Sequence, residues 1–176
     1  MREPRSWLFV PADSEKKIAK ALESQADALI FDLEDSVAPA NKARAREILR
    51  NLPSRSGGPQ WWVRINPLRT EDHRLDLELL GMADIHGLML PKAETGADVV
   101  ELSHRSGSIP IHAIVTETAA SLFGLLSYRD IPSSPLAAMS WGAEDLAASL
   151  GAAANKDGSG AYTLPYQLAR TLCLAG

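Results

Sequence analysis

Residues 29–37, LIFDLEDSV, run Leu29, Ile30 and Phe31 straight into three carboxylates, Asp32, Glu34 and Asp35, before returning to Val37. Apolar runs bury readily, and charges bury only with partners. Acids at the end of such a run are therefore delivered to a rim where a counter-charge waits: an arginine, a metal ion, or simply water. Arg64, set in WWVRINP, is the reciprocal case, because a guanidinium inside a strand-like segment must meet an anion. One of the three acids would give a structural ion pair, and a substrate anion would give a functional contact. Glu117, ending IHAIVTE, and Asp145, closing LAAMSWGAED, bring two further carboxylates to strand ends. Each also suits the first turn of a helix, where the dipole favours an acid.

Lys92 in LPKAE could form a Schiff base if its amine were desolvated, or could pair with Glu94 or the acids at 32–35. The histidines at 73, 86, 104 and 112 show no ligand spacing, and His73 and His104 fall in polar helical stretches that read as surface. Cys173 lies on an apolar helix face without a basic neighbour, which suits a core position. Trp61 and Trp62 are too bulky for both to point inward, so one is expected to face a helix layer.

The elements that must position these residues alternate. WLFV (7–10), ALIFD (28–32), WWVRI (61–65), GLML (87–90), IHAIV (111–115) and LAAMS (136–140) are short apolar runs. Helical patterns follow at 14–26, 41–52, 71–82, 95–106, 118–128 and 143–151, with a last one at 162–175. Continuous apolar runs between helical patterns are the mark of buried parallel strands. Six β/α units follow, with the special residues collected at strand C-termini, where α/β proteins build their sites. Spacing alone permits a doubly wound sheet of six strands or a TIM barrel, which has eight. VPADSEKKIAKA after the first strand contains no GxGxxG.

Composition narrows the partners. The 176 residues are 45% hydrophobic and carry a net charge of −4, enough for one sizeable core and a single domain over 1–176. No basic stripe exists, so nucleic acid and anionic membrane are not expected as partners. No window approaches a membrane span, the N-terminus lacks a signal peptide's pattern, and a single cysteine suits a reducing compartment. A cytoplasmic protein is the expectation.

LFVPAD (8–13), ADALIFDLEDSVAPANKARAR (26–46), VRINP (63–67), LMLPKAE (88–94), TETA (116–119) and WGAEDLAASLG (141–151) together resemble the HpcH/HpaI aldolase and citrate lyase β-subunit family, nearest its acyl-CoA branch. The resemblance implies an α/β TIM (β/α)8 barrel, truncated here after about six β/α units. It also implies Mg²⁺ dependence and a homo-oligomer, trimer or hexamer. Two sheet edges would then need covering, by a partner chain or by further polypeptide of the same protein.

By the same resemblance Glu117 and Asp145 are the Mg²⁺ ligands, and Arg64 contacts the substrate and stabilises an enolate. Asp32 and Glu34 orient the arginine and the metal's waters. The resemblance disfavours the Schiff base at Lys92, and Lys42 and Arg44 become candidates for coenzyme A phosphates, a helix face that could equally be solvated. The implied activity is a Mg²⁺-dependent carbon–carbon lyase acting on a 3-hydroxyacyl-CoA such as citryl-, malyl- or citramalyl-CoA. The alternatives are a 2-keto-acid aldolase of the same family, taking a small hydroxy acid, and a non-catalytic metal- or acyl-binding subunit.

Overall fold

The apolar runs become strands and the segments between them become helices. The computed structural model describes residues 3–54, 57–82, 84–131 and 135–175. Their packing groups the chain into two compact units, Met1–Met89 and Leu90–Gly176. Among the described residues the strand order follows the sequence, β1-β2-β3-β4-β5-β6. The registers from β1 to β4, and between β5 and β6, are parallel.

The first unit opens with β1 (Trp7–Pro11), α1 (Glu15–Leu22) and β2 (Ala28–Asp32). All five residues of β2 are buried, as expected of a strand covered on both faces. α2 (Lys42–Arg50), β3 (Gln60–Arg64), α3 (Glu71–Asp76) and β4 (Ile85–Leu90) follow. The register aligns Pro11 with Asp32 and Asp32 with Arg64, so the ends of β2 and β3 stand side by side.

Both tryptophans of β3 are buried, and alternation along the strand sends them to opposite faces, in keeping with the expectation that one faces a helix layer. Trp61 meets Phe31 edge-on, with centroids 5.5 Å apart, and Trp62 meets Trp7 at 5.0 Å. Room for the second indole comes from Gly87, where a Cβ would lie 2.2 Å from Trp62 Cζ3. The register slips between Trp61 and Trp62, and His86 Nδ1 accepts the Trp61 N–H at 3.1 Å in place of a strand carbonyl.

The second unit contains α4 (Gly96–Ser106), β5 (Ile111–Ile114), α5 (Ser121–Gly124), β6 (Leu136–Ser140), α6 (Ala143–Leu150) and α7 (Leu164–Ala175). Asp98 closes a capping box at the start of α4, accepting the Glu94 and Thr95 N–H groups at 2.8 and 2.9 Å. Leu146, Tyr166 and Ala169 form a buried cluster joining α6 to α7.

Candidate active site

Neighbouring strand ends bring Asp32 and Arg64 together. Arg64 donates from Nε to Asp32 Oδ1 and from Nη2 to Oδ2, both at 2.7 Å, a bidentate fork. Asp32 also accepts the backbone N–H groups of Glu34 (2.9 Å) and Ser36 (3.1 Å). Four acceptor positions on two oxygens are thus filled, which ties the turn after β2 to the arginine. Glu34 Oε2 lies 3.0 Å from Arg64 Nη1, while the exposed Asp35 stands off at 3.8 Å. Phe9 packs 5.0 Å beneath the guanidinium carbon.

Burial pulls the Arg64 pKa down, but the Asp32 hydrogen bonds and charge, with Glu34 and Asp35 behind them, hold it above the ordinary arginine value. Burial likewise pushes the Asp32 carboxyl up, and its bonds to Arg64, Ser36 and Glu34 outweigh that, leaving it below the usual 3.8.

Beneath this cluster runs a buried polar brace that the sequence reading missed. Lys42, expected to face coenzyme A phosphates, instead sends its ammonium inward to the carbonyls of Leu33 (3.0 Å) and Glu34 (3.4 Å) and to Asn66 Oδ1. Those three acceptors occupy the three protons of the amine. Asn66 donates its backbone N–H and its side-chain amide to Asp76 Oδ2, both at 2.7 Å. Arg46 donates to the other Asp76 oxygen at 2.6 Å and also holds Asp72. His73, read as a surface residue, is buried, with Nδ1 3.0 Å from the Asn66 carbonyl oxygen. Arg44, by contrast, is exposed on α2. The available signal was the helical spacing: Lys42, Ala45, Arg46 and Leu49 share the buried face of α2, and Arg44 does not.

In the second unit Glu117 and Asp145 converge on Lys92. Glu117 is buried, three residues beyond β5, and its Oε2 accepts the Lys92 backbone N–H at 2.6 Å. Asp145 sits in the first turn of α6 rather than at a strand end, with Oδ1 3.2 Å from Lys92 Nζ. Glu94 Oε1 takes the Thr118 hydroxyl at 2.9 Å and pins the loop behind Glu117.

Gly142, the N-cap of α6, is required where it stands: a Cβ there would fall 2.7 Å from Glu117 Cγ and 3.1 Å from Oε1. The bare backbone leaves space around the carboxylate. Two carboxylates are hard oxygen donors of the kind that suit a divalent cation such as Mg²⁺. Among the described residues no group of three or more His, Cys, Asp or Glu side chains is clustered for a metal.

The fold of six parallel β/α units, with its charged residues at strand ends, is of the TIM-barrel-like α/β class. The HpcH/HpaI aldolase/citrate lyase family model matches residues 5–175, and the chain belongs to that family. It is similar to the citrate lyase subunit beta-like protein of Mycobacterium tuberculosis, 43% identical over 89% of this chain. It is also similar to the (3S)-malyl-CoA thioesterase of Cereibacter sphaeroides, 35% identical over 97% of the chain. The chain spans 54% and 58% of those relatives' own lengths. Among solved structures it resembles M. tuberculosis CitE in complex with magnesium, acetoacetate and coenzyme A. The TM-score is 0.85 at 39% identity, covering 99% of this chain and 62% of that one. A CitE complex with oxaloacetate and magnesium gives a TM-score of 0.83. No helix among the described residues is long and apolar enough to cross a membrane.

Proposed function

We propose that the protein is a Mg²⁺-dependent carbon–carbon lyase acting on a 3-hydroxyacyl-CoA of the citryl-, malyl- or citramalyl-CoA kind. The observation that carries this reading is the Arg64 guanidinium, locked by Asp32 and Glu34 yet keeping Nη protons that neither acid consumes. A cation fixed in that way is prepared to meet negative charge developing on a thioester oxygen. Cleavage breaks the C2–C3 bond. The 3-hydroxyl loses its proton and becomes a carbonyl, and the bonding electrons pass to the acyl enolate that Arg64 stabilises, which is then protonated at carbon.

Glu117 and Asp145 would hold the metal, which when bound supplies a Lewis acid at the substrate's hydroxyl and carboxylate oxygens. Asp32 holds the guanidinium in one orientation, and Glu34 keeps its outer edge in place. Lys42 and Asn66 fix the carbonyls of the turn that carries Glu34. Exposed Arg44 remains a candidate for coenzyme A phosphates, while Lys42 serves in positioning. The reading also extends to assembly as a homo-oligomer in the cytoplasm.

Hydrolysis of the same thioester is the second reading, favoured by the likeness to the malyl-CoA thioesterase. One experiment separates them: malyl-, citramalyl- and citryl-CoA are incubated with the protein and Mg²⁺, and products are identified by mass spectrometry. Cleavage gives a shorter acyl-CoA and a keto acid, lost in Arg64→Met and Glu117→Gln. Hydrolysis gives free coenzyme A and a hydroxy acid, and consumption of none of the three would end both readings.

A further inference from the structure

Lys92 is the one lysine among the described residues with a left-handed backbone, φ = 52°, a conformation that L side chains adopt at a cost. Pro91 precedes it, and the Ala93 N–H returns to the Ile114 carbonyl at 3.2 Å, so the turn is fixed on both sides. The reversed backbone lets one residue serve two acids on different elements. Its N–H reaches Glu117 Oε2 at 2.6 Å, and its ammonium reaches Asp145 Oδ1 at 3.2 Å. These two contacts differ in kind. The first is made by the main chain and persists whatever the side chain does. The second is made by a flexible, strongly hydrated point charge on a side chain that is 28% exposed, facing an Asp145 side chain that is 29% exposed. Exposure on both sides leaves the ammonium a route away from the carboxylate.

We propose that Lys92 is the resident cation of this carboxylate pair: its ammonium neutralises Asp145 while the metal is absent, and a divalent ion enters by displacing it. The inference rests on the reading of Glu117 and Asp145 as metal ligands. Lys92 thereby sets the metal affinity. Two carboxylates brought to one residue repel each other without a positive charge, and an ammonium tied to one of them keeps the empty pair folded. The same ammonium competes with the incoming ion for Asp145 Oδ1, so affinity is held below what two free carboxylates would give. The backbone N–H meanwhile keeps Glu117 aimed, so that neutralising the side chain removes competition without removing position.

The test is calorimetric titration of MgCl₂ into the protein without substrate, comparing wild type with Lys92→Gln, Lys92→Arg and Lys92→Gly. Lys92→Gln is expected to bind Mg²⁺ about tenfold more tightly than wild type, and Lys92→Arg to stay within about twofold. Lys92→Gly, which keeps the N–H and suits the left-handed backbone, tightens in the same way and serves if the glutamine variant folds poorly. A Lys92→Gln or Lys92→Gly protein that retains its circular dichroism and binds Mg²⁺ no more tightly than wild type overturns the resident-cation role alone. A wild type and variants that all bind no Mg²⁺ overturn the metal reading and this inference together.

Discussion

Replacing Asp32 with asparagine preserves the shape of the side chain and removes half of its accepting capacity. The carboxylate takes four donors: Arg64 Nε and Nη2, and the backbone N–H groups of Glu34 and Ser36. An amide oxygen can serve two of them, and its NH₂ is then turned against the other two. The lost charge-assisted bond to Arg64 costs about 1.5–3 kcal/mol, and an orphaned Ser36 N–H adds about 1 kcal/mol. The full penalty of a stranded buried charge, about 3–5 kcal/mol, is not reached because Glu34 still faces Nη1 at 3.0 Å. Asp32→Asn should therefore lose about 3 kcal/mol, read as a fall of roughly 6–12 °C in Tm for a chain of this size. Urea unfolding at pH 7, followed by circular dichroism, gives the same quantity directly. Asp35→Asn, removing the exposed acid at 3.8 Å, should lose less than about 0.5 kcal/mol. The pH dependence has a definite sign. A folded-state pKa below the ordinary 3.8 means the stabilisation is present above that value and lost as pH falls through it. The gap between wild type and Asp32→Asn should be flat above about pH 5 and should close below 3.8. A deficit below about 1 kcal/mol at pH 7, or one matched by Asp35→Asn, would refute the argument that Asp32 anchors the arginine.

Gly142→Ala places a methyl 2.7 Å from Glu117 Cγ, so Mg²⁺ affinity by calorimetry should fall about tenfold, with Tm changing by only a few degrees. Gly87→Ala drives a Cβ to 2.2 Å from Trp62, and overpacking there should cost at least about 1–3 kcal/mol and shift the tryptophan fluorescence. Burial lowers the His112 pKa to about 4. The unfolded chain takes up that proton from about pH 6.5 downward, so stability present above 6.5 should drain away between 6.5 and 4. Equilibrium unfolding across that window should show about 3 kcal/mol less of this loss in His112→Leu.

What the sequence disclosed and what it hid differ in range. Apolar runs and helical spacing reveal the order of elements because both are local, and all six runs read as strands among the described residues are strands. The pairing of Asp32 with Arg64 was open among three acids, since it depends on a register across 32 residues. Parallel pairing resolves it: Asp32 and Arg64 each end their strand, and Leu33 N–H reaches the Arg64 carbonyl immediately beyond. Counting equivalent positions in successive β/α units would have chosen Asp32 over Asp35.

The inward turn of Lys42 was harder to read. A lysine at the start of a helix in a polar stretch resembles a solvated cation until its acceptors are known, and these are two backbone carbonyls, which no side-chain pattern reports, and Asn66, 24 residues away. His73 and Asp76 escaped for the same reason, because α3 is only six residues long and its polar face packs on the Asn66 turn. Lys42 and Arg46 also reach into the next β/α unit, to Asn66, Asp72 and Asp76. Those cross-unit bonds are what hold the turn bearing Glu34 against the end of β3, and with it the arginine on which the proposed chemistry depends.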